Sequence, residues 1–340
     1  MEQIMLNREK EIVDKAVKHL ERATGFKTTM HFYEHPDRGD AILQIGNDDY
    51  QIEFNVEVKQ FLNRARLGMV INQLRGMRGT PLLITEYVNP ALMETMENNQ
   101  INFIDTAGNA LIKVGPLFIK IKGNRLNEEK KTTTLPRAFN TEVLKTIFAL
   151  LCNPGIERNP IRKIVEYAGA TIGTVHRTVK ELEKQGYLLN QGALGNKLIK
   201  KEALFKEWVT LYPEKLRPKY LIDRYKITED QIDNLQLENY NALWGGEEAA
   251  ARLTNYLNPF IYTIYIADRQ GEFILRNRLK RDANGNLILM KKFWNFNNEF
   301  PGMTHPILTY ADLLATGDPR NIETAKIIYE KDIVRYIKED

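Results

Sequence analysis

The chain has 340 residues, of which 43% are hydrophobic and 27% charged, as is typical of a globular protein with two or three domains. The net charge of +4 is too small to indicate a nucleic-acid partner unless the cations cluster locally. The sequence contains no serine, which excludes every serine-nucleophile hydrolase. One cysteine, Cys152, excludes an internal disulfide and favours a reducing, cytoplasmic location. Because no apolar run reaches the length of a membrane span and no cleavable signal is apparent, we expect no membrane contact.

Helices and strands alternate over residues 1–125. Apolar spacing predicts an amphipathic helix over residues 2–23, which Gly25 ends. Strands are predicted at 28–33, 40–45, 50–59, 81–85, 102–104, 111–114 and 117–122, and further helices at 63–77 and 90–98. Alternation of this kind predicts an α/β domain with a mixed central sheet.

Two carboxylates and a lysine stand out in this domain. Asp40 begins one strand, while Glu57 and Lys59 lie two residues apart on another and therefore point to the same face. Together Asp40 and Glu57 could hold a divalent cation such as Mg²⁺, with Lys59 beside a phosphate or water. The alternative is structural, because an amphipathic strand exposes Glu and Lys to water without any catalytic role.

The order of these elements is similar to the PD-(D/E)XK, or restriction-endonuclease-like, fold. The resemblance implies a metal-dependent deoxyribonuclease with Asp40, Glu57 and Lys59 as its catalytic residues. However, Asn55 on the same strand face adds no charge, and the following helix offers Gln73 and Arg75 but no further acid. We therefore expect a domain with weak activity or none, and a chain with no cofactor unless it is a nuclease.

A polar turn and a linker follow. In the sequence NFIDTAGNA (residues 102–110), Gly108 suits a positive φ and Asp105 suits a carboxylate that accepts backbone N–H groups. We interpret this segment as a structural turn rather than a chemical site. Residues 126–138 are polar, carry a charge run and a proline, and are predicted to form a linker.

Residues 139–203 predict a winged helix-turn-helix. Thr141 is a candidate cap for an apolar helix over 141–151, and a short helix is predicted at 160–167. Thr171 is expected to cap a third helix whose apolar stripe is Val175, Val179 and Leu182, and Gly186 to end it. A two-stranded wing over 188–199 completes the pattern.

Short polar and basic side chains on this segment indicate binding to double-stranded DNA. They lie largely in the first half of the third helix, which would be the recognition helix of such a fold. The candidate DNA-binding residues are Arg162, Thr171, Thr174, His176, Arg177, Lys180 and Lys197. The alternative is a three-helix bundle with a solvated face, because exposed helices are usually charged.

Residues 204–340 predict an α+β domain. A joint is expected at Arg217-Pro218-Lys219, followed by polar helices and an alanine-rich helix that begins at WGGEEAA. Strands are predicted at 262–267, 272–276 and 287–294, and helices near the end of the chain. Trp244 and Trp294 are interpreted as core residues.

Four motifs together carry a resemblance to a known family. The winged-helix centre, NFIDTAGNA, WGGEEAA and YADLLATGDPRN are similar to the AbiEi-like antitoxin and transcriptional-regulator family of type IV toxin–antitoxin systems. The resemblance implies a DNA-binding repressor of its own operon that counteracts a nucleotidyltransferase-type toxin. The simplest members place the winged helix near the N-terminus, whereas here a nuclease-like domain precedes it.

Two classes of function therefore remain open. In the first, the protein is a sequence-specific DNA-binding regulator, which could bind its operator as a homodimer. In the second, it is a metal-dependent endonuclease that its winged helix targets to DNA.

Overall fold

A computed structural model describes residues 2–32, 40–47, 50–60, 62–125 and 139–338. The chain divides into two compact units. The first unit comprises Met1–Thr133 with Gly317–Pro319, and the second comprises Thr134–Thr316 with Arg320–Asp340. The predicted linker, 126–138, lies outside the described residues.

Helices and a seven-stranded sheet form the first unit. The helices are α1 (Glu2–Thr24), α2 (Arg64–Gly76) and α3 (Pro90–Asn98). The strands are β1 (Lys27–Phe32), β2 (Ala41–Gly46), β3 (Gln51–Lys59), β4 (Pro81–Thr85), β5 (Phe103–Asp105), β6 (Ala110–Val114) and β7 (Leu117–Ile121). These bounds agree with the sequence-based prediction to within a few residues.

The sheet runs β1-β2-β3-β4-β5-β6-β7, so each strand pairs with its neighbours in the chain. Pairs β3–β4 and β4–β5 are parallel, because α2 and α3 carry the chain back to the end of the sheet at which the preceding strand began. The other pairs are antiparallel. The predicted mixed α/β architecture is confirmed. Assignment to a restriction-endonuclease-like fold remains a prediction.

One apolar core lies between α1 and the sheet. Ile12, Val13, Ala16 and Leu20 of α1 pack on inward side chains of the strands, among them Phe54 and Val56. The opposite face of β3 is exposed at Glu53, but Glu57 is only 3% exposed. The solvated-strand interpretation is therefore wrong for Glu57. Its half of β3 has strands on both sides, whereas the first half of β3 has no β4 neighbour.

The turn predicted at NFIDTAGNA is confirmed. Gly108 has a φ of 89°, and Asp105 is fully buried. Its carboxylate accepts hydrogen bonds from the backbone N–H groups of Val88, Ala107 and Asn109, at 2.8 to 3.0 Å. Burial raises the pKa of Asp105 even though these donors oppose the shift. This aspartate holds together the loops that follow β4 and β5.

The second unit contains many short elements. Its helices are α4 (Thr141–Cys152), α5 (Ile161–Ala168), α6 (Ile172–Lys184), α7 (Lys201–Leu211), α8 (Arg217–Tyr220), α9 (Glu229–Asp233), α10 (Gly246–Thr254), α11 (Gln270–Arg276), α12 (Pro306–Thr316), α13 (Pro319–Ile328) and α14 (Val334–Ile337). Its strands are β8 (Leu188–Asn190), β9 (Asn196–Leu198), β10 (Leu221–Lys226), β11 (Ala242–Gly245), β12 (Tyr262–Ile266), β13 (Lys280–Arg281) and β14 (Leu287–Lys291).

Five of these strands form a sheet in the order β11-β12-β14-β10-β13. Two predictions are wrong here. Residues 272–276, predicted as a strand, belong to the helix α11. The joint predicted at Arg217 is instead the start of α8, which follows α7 through a π-helical turn at Tyr212–Leu216 and leads into β10. Trp244 and Trp294 are both buried, as predicted.

An aromatic cluster, defined as Phe148, Trp208, Phe293, Trp294 and Phe296, lies at the centre of the second unit. The ring of Phe148 lies 5.1 to 5.6 Å from those of the other four. The Trp208 indole N–H also donates to the Leu144 carbonyl at 2.9 Å. Because Phe148 belongs to α4 and three of its partners follow β14, the two segments share one core. The boundary predicted at 203/204 falls within α7.

A buried polar network lies beside this cluster. The Asp312 network is defined as Tyr212, Arg217, Tyr265 and Asp312. The Asp312 carboxylate, 2% exposed, accepts from both tyrosine hydroxyls at 2.8 Å and from Arg217 Nε at 3.0 Å. Burial, and after it the charge of Asp312, raise the pKa of Tyr212 and Tyr265 well above the usual value. The network joins the π-helical turn at Tyr212–Leu216, α8, β12 and α12.

The WGGEEAA motif packs against this network. A Cβ on Gly245 would lie 2.6 Å from the Tyr265 ring, so a larger residue does not fit. Glu247, 6% exposed, accepts from the N–H of Phe260 at 2.7 Å and from the Asn321 side chain at 2.9 Å. The motif therefore connects β11, the loop before β12 and α13.

Candidate nucleic-acid interface

Helix α4 is the buried base of the candidate interface. All its residues except Glu142 and Val143 are buried. Its N-cap is Asn140, whose side chain accepts from the N–H groups of Glu142 and Val143 at 3.1 Å, and Thr141 is the first helical residue. The predicted Thr141 cap is therefore wrong, because Asn140, one residue earlier, takes that role.

The turn between α5 and α6 is fixed by a lysine that sequence reasoning missed. Gly169 ends α5 with a φ of 58°, and its N–H donates to the Val165 carbonyl. Lys145 of α4, 7% exposed, donates to the Gly169 carbonyl at 2.6 Å and to Glu142 at 3.1 Å. A buried ammonium group thus ties α4 to the end of α5, where the turn to α6 begins.

Helix α6 begins where the sequence predicts. Thr171 is its N-cap and accepts from the Thr174 N–H, and the two hydroxyl groups are 2.9 Å apart. At the other end, Gly186 has a φ of 73° and its N–H donates to the Glu183 carbonyl. Both ends agree with the predicted helix signals.

One face of α6 is buried and the other is exposed. Val175, Val179 and Leu182 are buried as predicted. The polar residue Thr178 is also buried and donates to the Thr174 carbonyl at 2.9 Å. Because the inner stripe is wider than the apolar residues alone suggest, α6 is held firmly against α4 and α5.

The exposed face of α6 carries three of the candidate DNA-binding residues, His176, Arg177 and Lys180. Arg177 Nε donates to the Gly173 carbonyl at 3.3 Å, which directs the guanidinium along the first turn. Lys180 forms an exposed ion pair with Glu183 at 3.3 Å, an interaction worth little in water. Both cations therefore remain accessible to a ligand.

The other candidates occupy the surroundings of α6. Thr171 is exposed and Thr174 is half-buried at its N-terminus, and Arg162 is exposed on α5. Lys197 is half-buried on β9, opposite Leu189 of β8. Strands β8 and β9 form an antiparallel hairpin after α6, whose turn contains Gly192 and Gly195. The order of three helices and a hairpin is the predicted one.

The acidic site predicted in the first unit is compact. Lys59 Nζ contacts Glu57 Oε1, and an Asp40 oxygen accepts from the Val58 N–H at 2.7 Å. Glu9 of α1, which sequence reasoning missed, lies near them. Burial and then the Asp40 charge raise the pKa of Glu9, with a smaller contribution from Glu57. Only the packing of α1 on the sheet reveals this third acid.

The carboxylates of this site are arranged poorly for a divalent cation. Within the described ranges, no group of three or more His, Cys, Asp or Glu side chains is arranged to hold a metal ion. One Asp40 oxygen is already bound to a backbone N–H, and Glu57 contacts the Lys59 ammonium. The donors therefore do not fit a three-ligand magnesium site. Gln73 and Arg75 are exposed on α2, and Arg75 donates to Asn99 at 3.3 Å.

Comparison with known proteins relates the second unit to one family. Residues 197–334 match the family described as a transcriptional regulator, the AbiEi antitoxin of type IV toxin–antitoxin systems. The match includes the WGGEEAA and YADLLATGDPRN motifs and confirms the predicted resemblance for this segment. It does not extend to α4–α6 or to residues 1–133. The searches found no curated protein and no solved structure similar to the chain.

No helix among the described residues is long and apolar enough to cross a membrane.

Proposed function

We propose that this protein is a sequence-specific DNA-binding transcriptional regulator and the antitoxin of a type IV toxin–antitoxin system. In support of this proposal, residues 197–334 match a family described as a transcriptional regulator, the AbiEi antitoxin of type IV toxin–antitoxin systems. In our proposal α4, α5, α6 and the β8–β9 hairpin act as a winged helix-turn-helix, with α6 in the major groove of operator DNA. The partner toxin is a nucleotidyltransferase-type enzyme that the protein counteracts without necessarily contacting it.

The main support for this proposal is the exposed face of α6. Recognition helices contact base edges mainly through residues near their N-terminus. Here His176 and Arg177 are exposed in the first half of α6, and Lys180 lies one turn further. Glu181 and Glu183, which would repel phosphates, follow in the second half. Lys180 and Lys184 balance these two acids, whereas the first half has Arg177 and no acid, so the charge distribution favours DNA approach at the N-terminal half.

Replacing Arg177 with alanine is expected to weaken specific binding by about 1–3 kcal/mol, because Arg177 contacts a base edge. Lys180→Ala should weaken all duplexes alike and reduce the salt dependence by about 0.9 in the slope of log K, because one phosphate contact is lost. The measurement is fluorescence anisotropy with a duplex selected from a random library and with a scrambled duplex, over a range of salt concentrations.

Lys206→Ala is the matched control, since Lys206 is exposed on α7 and pairs with Glu202 at 2.5 Å. It should leave both affinities unchanged. Wild-type affinity of both α6 variants for the selected operator would show that another surface reads the DNA.

Because one recognition helix reads few bases, we also propose that two copies of the protein occupy repeated half-sites. Sedimentation of the protein–DNA complex will count the copies.

A metal-dependent endonuclease is the second candidate, favoured by the proximity of Glu9 to Asp40 and Glu57. With the donors otherwise engaged, we expect no cleavage of plasmid DNA by the wild type in Mg²⁺ or Mn²⁺. Glu57→Ala, Glu57→Gln and Lys59→Ala should leave operator binding almost unchanged. Cleavage by the wild type that disappears in Glu57→Gln would replace the regulatory proposal with a nuclease.

A further inference from the structure

The β6–β7 hairpin forms one edge of the seven-stranded sheet. In the described part of the chain β7 pairs only with β6, and its side chains alternate cleanly between the two faces. Leu117 and Ile119 point into the core that α1 covers. The residues between and after them point to the opposite face and are exposed.

An aromatic ring lies on this exposed face. Phe118 is 64% exposed and stands directly opposite Lys113 of β6. Lys120 follows on the same face of β7, and Lys122 follows one residue beyond the strand. Successive residues on one face of a strand are about 6.6 Å apart, so Lys120 lies next to Phe118 along β7, and Lys113 lies opposite Phe118 on β6. We define Lys113, Phe118, Lys120 and Lys122 as the Phe118 face.

The Phe118 face has a positive charge. Glu97 of α3 contacts Lys120, and the hydrogen bond from Lys120 lowers the pKa of Glu97, as does the nearby charge of Lys122. One carboxylate therefore offsets part of three ammonium charges. Lys113 and Lys122 are exposed.

The position of β7 at the edge of the sheet explains why lysines are exposed there, but it does not explain the exposed ring of Phe118. Lysines on an edge strand discourage pairing with other chains. A large aromatic side chain exposed on the same edge has the opposite effect, because it favours association. The combination of an exposed ring and flanking cations is instead typical of surfaces on which nucleobases stack while phosphates contact lysines.

We propose that the Phe118 face binds single-stranded nucleic acid, with Phe118 stacked on one base and the lysines on the adjoining phosphates. A duplex is the poorer ligand for this face, because its bases are already stacked on one another and are not free to cover a ring. The site lies in the first unit and does not depend on α6, so it is independent of the proposed operator binding.

The test uses the full chain and a fluorescently labelled 12-nucleotide oligo(dT), with anisotropy measured over a range of salt concentrations. Phe118→Ala should raise the Kd about tenfold, as expected for the loss of one stacked base. Lys113→Gln and Lys122→Gln should each reduce the salt slope by about 0.7, the value for one phosphate contact on a single strand. Lys18→Gln, on the exposed side of α1, is the control and should change nothing.

Two further variants separate stacking from general apolar contact. Phe118→Tyr should retain wild-type affinity, whereas Phe118→Leu should lose affinity as Phe118→Ala does. Equal binding by wild type and Phe118→Leu would overturn the proposal, as would the absence of salt-dependent oligo(dT) binding by the wild type. Self-association that Phe118→Ala abolishes, without oligonucleotide binding, would identify a protein contact instead. Operator duplex binding, measured on the same variants, should not change.

Discussion

Asp312→Ala will lower the free energy of unfolding of the second unit by about 3–5 kcal/mol, the usual cost of removing one partner from a buried ion pair. The substitution leaves Arg217 without its carboxylate and removes the acceptor of the Tyr212 and Tyr265 hydroxyls. Because the Asp312 network joins the π-helical turn after α7, α8, β12 and α12, the loss affects the whole unit. Urea unfolding followed by tryptophan fluorescence measures it, since Trp208, Trp244 and Trp294 all lie in the second unit.

Asp223 provides a matched control. It pairs with Arg281 at 2.8 Å, but the two side chains are 35% and 77% exposed, so Asp223→Ala should cost at most about 1 kcal/mol. Asp312→Asn, which keeps the shape and one carbonyl acceptor, should fall between the two. If Asp312→Ala were no more costly than Asp223→Ala, the network would not be a principal stabilising contact.

Phe148→Ala should cost about 3–5 kcal/mol in the same assay, because truncation of a buried phenylalanine leaves a cavity that the core fills only partly. The residue is fully buried and touches every other ring of the aromatic cluster. Leu275→Ala is the control, as Leu275 is 79% exposed on α11. Under conditions where the variant remains folded, we expect operator affinity to be unchanged, since Phe148 lies behind the interface. A cost near that of Leu275→Ala would contradict the shared core.

Local signals in the sequence predicted most of the first unit and both ends of α6. The Thr171 cap, the Gly186 stop and the Asp105 turn all depend on hydrogen bonds within a few residues, and the structure contains them. Alternation likewise predicted β3, because one side of a half-covered strand must be apolar.

Non-local contacts explain the errors. Residues 221–226 form a strand because they pair with β14, some sixty residues away, and no local pattern reveals that partner. Residues 272–276 contain a short apolar run, Phe273-Ile274-Leu275, that is compatible with a strand, yet α11 buries Phe273 alone and leaves Leu275 exposed. In short apolar runs, the hydrophobic periodicity of a helix is hard to distinguish from that of a strand.

The residues of the candidate sites likewise divide into those that a local sequence pattern predicts and those that only tertiary contacts reveal. Arg177 and Lys180 could be chosen from the sequence, because their distance from the apolar stripe of α6 predicts exposure. Glu9 and Lys145 could not, since each acts on residues that only tertiary packing brings near. In both sites the missed residue belongs to a helix and contacts a different element.

The shared aromatic cluster also has a consequence for how such proteins can diverge. The family similarity begins at residue 197, but the described part of the second unit begins at residue 139. The segment that is similar to the family and the folded unit therefore have different limits. A recombination event that exchanged α4–α6 between relatives would separate Phe148 from Trp294 and disrupt the core. Under the proposed function, new operator preferences should therefore arise by point substitution on the exposed face of α6, where His176 and Arg177 can change without disturbing the residues beneath them.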